Sequence, residues 1–179
     1  MVFIQSIITS SLLLFCFSAK GQTNQWKLLQ SKMEKLGMVI APPLENRFKL
    51  KEDLQDFQPS DVSMIDKNGN LEIRFFIDTS ASVLFPHINT MSFLTNLATN
   101  SQETVVSLLP IAEDIVRLDY KAQWACQAFF RPKDSFSNKA HCKLIAIYKE
   151  GKAVAYMTLL FDDVSLDLEP YEFFLTFDD

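Results

Sequence analysis

Glycine is scarce in this chain. Only Gly21, Gly37, Gly69 and Gly151 occur among 179 residues, too scattered to build a loop whose successive N–H groups cradle phosphate. Dinucleotide-binding and P-loop readings are excluded on that ground. Histidine is scarcer still, with His87 and His141 alone, and cysteine stops at Cys16, Cys126 and Cys142. A structural zinc site needs four ligands, and no such set is spaced along the sequence. No G-x-S-x-G segment supplies a nucleophile on a sharp turn. Basic residues are outnumbered, 17 Lys and Arg against 22 Asp and Glu, for a net charge of -5. A nucleic-acid partner is not expected, because phosphate binding requires a positive field that this balance does not supply.

What is present begins with an apolar run, Ile7–Phe17 (IITSSLLLFCF). It has the length of a secretory h-region and falls short of the roughly 20 residues that span a bilayer. Small side chains at Ala19 and Gly21 match the pattern a signal peptidase accepts, so cleavage is predicted after Gly21. Residues 1–21 then form a signal peptide, and residues 22–179 a single domain in the periplasm or outside the cell, with no stable membrane span after cleavage. Met1–Ser6 carries no Lys or Arg, so the α-amino group supplies the positive charge or the start lies upstream. The alternative is an uncleaved anchor. Lipidation at Cys16 is disfavoured because bulky Phe15 precedes it. Loss of the leader removes Lys20 and no acid, taking the net charge from -5 to -6. Cys126 and Cys142 remain. They are readable as a disulfide, which an oxidising compartment permits, or equally as two small buried hydrophobes in neighbouring strands.

Along the mature chain, Trp26, Leu29, Met33 and Leu36 recur at helical spacing, with Asn24 as the expected N-cap and Gly37 as the stop. Ala41-Pro42-Pro43 forces an extended segment, and Phe48–Lys51 alternates like an edge strand. Asp61–Ile65 and Leu71–Ile77 read as a hairpin through Asp66-Lys67-Asn68-Gly69-Asn70, the Asn-Gly step supplying positive φ values. A helix is expected from Pro86 to Asn100, a strand over Thr104–Leu109 and two helical turns over Ile111–Leu118. Trp124–Phe130, Cys142–Tyr148 and Ala153–Phe161 are the most strand-like runs, the last two joined by Lys149-Glu150-Gly151-Lys152. Both alternating faces of Ala153–Leu160 are apolar, so that strand is covered on both sides. The economical fold is α+β: an antiparallel sheet with helices on both faces.

Few residues carry chemistry. The 66–70 segment begins like a calcium loop, but Leu71 and Ile77 stand where glycine and a bidentate glutamate are required. His141 adjoins Cys142, yet neighbouring strand residues point to opposite faces, so the two side chains diverge. Asp162, Asp163, Asp167, Glu169, Glu172 and the terminal Asp178-Asp179 could pair for glycoside hydrolysis or hold a divalent ion; the plainer account is a solvated acidic loop. Sixteen phenylalanines are unusual. The adjacent pairs Phe129-Phe130 and Phe173-Phe174 are either buried on both sides of a covered sheet or exposed to recognise a partner.

Leu118–Asp163 also carries a resemblance. Its elements are Trp124 before Ala128-Phe129-Phe130, then Pro132-Lys133, the Phe136 region, the Cys142–Tyr148 strand, Tyr148-Lys149-Glu150-Gly151, and Ala155-Tyr156 running into Leu160-Phe161-Asp162-Asp163. With Gly69–Arg74 (GNLEIR), these segments resemble a group of uncharacterised bacterial proteins related to the PsbP-like α/β/α sandwich superfamily. That fold is shared by the extrinsic protein of photosystem II's oxygen-evolving complex and by a factor that binds the GTPase Ran. The resemblance implies the fold and an accessory, partner-binding role. It implies no catalytic residue and no cofactor, and fold alone is poor evidence of function.

The expectation is an exported, non-enzymatic accessory or binding protein of unknown ligand. Its partner or ligand surface is expected around Asp162, Asp163, Phe173 and Phe174. One alternative is a hydrolase or metal-dependent enzyme using the acidic segment 162–172. That enzyme would bring two or more of Asp162, Asp163, His87 and His141 within about 5 Å in a concave pocket. A third reading is a structural component of a cell-envelope assembly, pairing through an extended edge strand.

Overall fold

A computed structural model describes residues 22–40, 47–51, 60–80, 85–99 and 106–178. The expected leader (residues 1–21), the 41–43 segment and Thr104-Val105 lie outside the described residues. The elements in chain order are α1 (Gln22–Leu36), β1 (Met38–Ile40), β2 (Phe48–Leu50), β3 (Val62–Asp66), β4 (Leu71–Asp78), α2 (Pro86–Leu97), β5 (Leu109–Pro110), α3 (Glu113–Leu118), β6 (Trp124–Phe130), β7 (His141–Lys149), β8 (Ala153–Phe161), α4 (Glu169–Glu172) and β9 (Leu175–Phe177). This is an α+β fold around one large antiparallel sheet of seven strands, ordered β2-β3-β4-β8-β7-β6-β5.

The three apolar runs of the last third form the middle of that sheet. β8 lies between β4 and β7, with Leu159 opposite both Ile73 and Lys143 and Leu160 opposite both Glu72 and Cys142. All nine of its residues are buried. Alternation then sorts the core into two clusters. Ile73, Phe75, Ile145, Ile147, Ala155, Met157 and Leu159 gather with Leu29 and Met33 of α1 and with Tyr171 and Phe174. Cys126, Ala128, Cys142, Leu144, Val154, Tyr156 and Leu160 gather with Leu94 and Leu97 of α2.

The β7–β8 reversal is tight because Gly151 takes a φ of 70°, a left-handed value that costs a side-chain-bearing residue about 1–2 kcal/mol. In the β3–β4 hairpin only Gly69 is left-handed. Asn68 keeps a negative φ, so the turn is not the doubly left-handed type expected of an Asn-Gly step.

Several boundaries depart from the sequence reading. α1 begins at Gln22, which puts Asn24 inside the helix rather than at its cap. α2 stops at Leu97 because Ala98 turns extended, with ψ 147°, and bridges to Pro132. The expected strand before Pro110 shrinks to the two residues of β5, which pair with Gln127 and Cys126; Val106–Leu108 lies outside any strand. Proline has no N–H to donate and is tolerated only at such an edge. The tail is not a solvated loop throughout. It forms α4 and then β9, which pairs with β1 through Met38 opposite Phe177.

Candidate functional site

The period of two in β7 sends His141 and Lys143 to the face that carries Ile145 and Ile147. Across the strand pair, Phe129 of β6 stands opposite Lys143; Arg131, just past the end of β6, and His141, the first residue of β7, line the same hollow. Above these four side chains runs the segment from Val164 to Glu172. Together they enclose a cleft of about 660 Å³, lined also by Phe161, Leu166 and Leu168. A volume of this order fits a small organic ligand.

α4 is short, so its position depends on tertiary contacts. Tyr171 packs edge-on against Phe48, ring centroids 5.9 Å apart, and against Phe174 at 5.3 Å. The Tyr120 hydroxyl donates to the Glu172 carbonyl at 3.0 Å. The Lys143 ammonium donates to the Glu172 carboxylate in a close ion pair. That ammonium is nearly sealed, with its side chain 6% exposed, and lies 5.0 Å from the Phe129 ring centroid. The His141 ring leans on Phe161, centroids 5.6 Å apart. Phe129 itself is 51% exposed beside the hollow.

The residues singled out by sequence divide between the cleft and its scaffolding. Asp162 accepts from Lys139 Nζ at 2.8 Å and from the Ala140 N–H at 2.9 Å. These bonds hold its carboxyl below its ordinary value, first through the Lys139 hydrogen bond. Asp163 accepts from the backbone N–H and the hydroxyl of Ser165, and the hydroxyl bond is the first cause that lowers its pKa. Neither aspartate lines the cleft. Asp167 accepts from the Glu169 N–H at 3.1 Å. His141 faces the cleft, whereas His87 lines a separate depression on α2 with Ile88 and Met91. Among the described residues no group of three or more His, Cys, Asp or Glu could hold a metal ion.

Each phenylalanine pair splits. Phe130 is buried and Phe129 half-exposed; Phe174 is buried and Phe173 exposed, with Phe173 leaning on the Tyr120 ring at 5.2 Å. Cys126 and Cys142 are both buried free thiols. Cys126 lies opposite Ala146 and Cys142 opposite Phe130, an offset of four residues, or about 13 Å at a strand rise of ~3.3 Å. A disulfide brings Cα atoms within about 7 Å, so this register is incompatible with a bond between them. Burial pushes the Cys126 thiol up to about 12 and raises Cys142 as well.

Two charge clusters escaped the sequence reading. Lys143, alternating with Cys142 and Leu144 in an apolar run, gave no sign that it meets an acid from the tail. The other cluster centres on Glu72, 1% exposed. It accepts from Ser63 Oγ at 3.0 Å, Lys51 Nζ at 2.8 Å and Arg74 Nε at 2.6 Å. Arg74 also donates to the Phe136 carbonyl at 2.8 Å and lies over that ring at 4.5 Å. The available signal was the Glu72, Arg74 alternation between Leu71, Ile73 and Phe75. In a strand with one fully apolar face, opposite charges two residues apart on the other face are placed to pair. Comparison by sequence adds no kinship: no protein-family model and no curated protein matches the chain.

Proposed function

We propose that this chain is an exported accessory protein that binds a small ligand or a partner, built on a PsbP-like α/β/α sandwich with helices over both faces of the sheet. Two-sided cover is supported by the membership of the two clusters, one with α1 and α4 residues and the other with Leu94 and Leu97 of α2. Export rests on the apolar run before Gly21. N-terminal sequencing of the exported protein should begin at Gln22; a mature chain still carrying Leu12 overturns it.

The observation that carries the binding reading is Phe129. A half-exposed aromatic held beside a part-buried ion pair, at the edge of a preformed hollow, is a recognition surface rather than core. Relative to the sequence expectation, the site moves from Asp162, Asp163, Phe173 and Phe174 to the neighbouring cleft. The enzymatic alternative gains no support from the acidic segment, because Asp162, Asp163, Asp167 and Glu172 are each engaged in holding a loop or α4 in place. The assembly alternative needs a long edge strand, and β2 and β5 are three and two residues long, the blunt form that discourages pairing.

The test isolates the mature protein from its own envelope fraction and identifies what co-purifies. The expected result is a molecule or partner retained by the native protein and lost in Phe129→Asp, with unchanged circular dichroism. Equal recovery by both, or by neither, overturns the proposal.

A further inference from the structure

We propose that the cleft takes a small amphipathic anion: one carboxylate carried on an aromatic or branched apolar body. This rests on the binding reading above and names the class of ligand. Four side chains of the lining come from β6, β7 and the residue after β6: Phe129 opposite Lys143, with Arg131 and His141 in the same hollow. Three of the four bear nitrogen donors with capacity to spare. An ammonium has three N–H groups, and Lys143 spends one on Glu172 and turns toward the Phe129 ring. Among the described residues, neither the Arg131 guanidinium nor the His141 imidazole has a hydrogen-bond partner. A planar carboxylate matches the guanidinium fork in two parallel bonds, with His141 and Lys143 next to it on the same face.

The rest of the lining is apolar. Phe161, Leu166 and Leu168 form the wall, Val164 stands 75% exposed at the rim, and Phe129 offers an open ring surface to an aromatic body. Donor geometry, not net charge, favours an anion over a cation. Lys143 and Glu172 neutralise each other. Asp167, Glu169 and Arg131 are all exposed, so water and salt screen them alike and the guanidinium fork, which suits a planar carboxylate, sets the preference. An ammonium seated beside Phe129 would meet Lys143 and a Glu172 carboxylate already engaged by it.

The probe is 2-naphthoate, titrated into the full mature protein and followed by amide chemical shifts, with its uncharged methyl ester and 2-naphthylmethylammonium as controls. Saturable binding of the carboxylate with shifts in residues 129–143 and 164–172 is expected. The ester and the ammonium should bind at least tenfold more weakly. Arg131→Gln, at an exposed side chain without a partner, should lower naphthoate affinity about tenfold and leave ester binding unchanged. Phe129→Ala should weaken acid and ester alike. Ester or ammonium binding equal to the acid overturns the proposal, as does an Arg131→Gln variant with native affinity. If naphthoate fails to bind while the envelope-purified protein still carries a Phe129-dependent molecule, the anion class is refuted and the binding reading stands. If that molecule is also absent, both fall.

Discussion

A carboxylate sealed in a sheet is stable only while its counter-charges remain. Burial alone would raise the pKa of Glu72; Arg74 and Lys51 outweigh it and hold the carboxyl below the usual range. The unfolded chain therefore binds this proton more readily than the folded one. The stabilisation is present in full above the unfolded pKa, near 4.3, and disappears as pH falls through the lower folded value. Glu72→Ala leaves Arg74 buried without its partner and should cost about 3–5 kcal/mol at pH 7. Urea titrations at pH 7 and pH 3 should show that penalty shrinking in acid; a penalty independent of pH would remove Glu72 from the ion network. The phenylalanine pair gives a second contrast at this scale. Phe130→Ala should cost about 3–5 kcal/mol as a core truncation. Phe129→Ala, half in water, should stay within about 1 kcal/mol by lost area. Equal costs would mean that Phe129 is packing and not surface. The thiols give a third. Intact mass without reductant should show Cys126 and Cys142 two protons heavier than a joined pair, and both should resist alkylation until the chain unfolds, since burial keeps them protonated.

At the scale of elements, what was legible followed from period and punctuation. β8 was readable because both of its alternating faces are apolar, and α1 because Leu29 and Met33 repeat at helical spacing before Gly37. Gly37 ends α1 with a φ of 62°, and Gly37→Ala should cost about 1 kcal/mol or more by denaturant midpoint; no loss would mean the helix end relaxes freely. What could not be read was set by distant partners. β9 is three residues of ordinary composition that become a strand because Met38–Ile40 lies alongside. α4 is held by Lys143, Tyr120 and Phe48, which lie 29, 52 and 123 positions before their partners in it, and none of them signals a helix locally. The cleft was missed for the same reason. Its floor comes from β6 and β7 and its wall from the tail, so the acids were legible as a cluster but not as struts for neighbouring loops.

For the whole molecule, the central question is whether the two clusters are one cooperative core or two. They share β8, whose odd residues face one cluster and whose even residues face the other. β8 pairs with β7 along its entire length and with β4 from Val154 to Phe161, so loosening either side should withdraw support from the strand that serves both. The two tryptophans report separately: Trp26 packs against the first cluster and Trp124 against the second. Single-tryptophan forms made by Trp26→Phe and Trp124→Phe should therefore unfold in urea with coincident midpoints once each variant's own stability change is subtracted. The sharper test truncates one side at a time. Leu29→Ala and Leu94→Ala each remove a fully buried side chain and should each cost about 2–5 kcal/mol. In a single cooperative unit each truncation shifts the Trp26 and Trp124 signals equally. If Leu94→Ala moved only the Trp124 transition, α2 and its cluster would be a separately melting layer. The sheet would then be held by the α1 side alone, and the molecule would not be one folding unit.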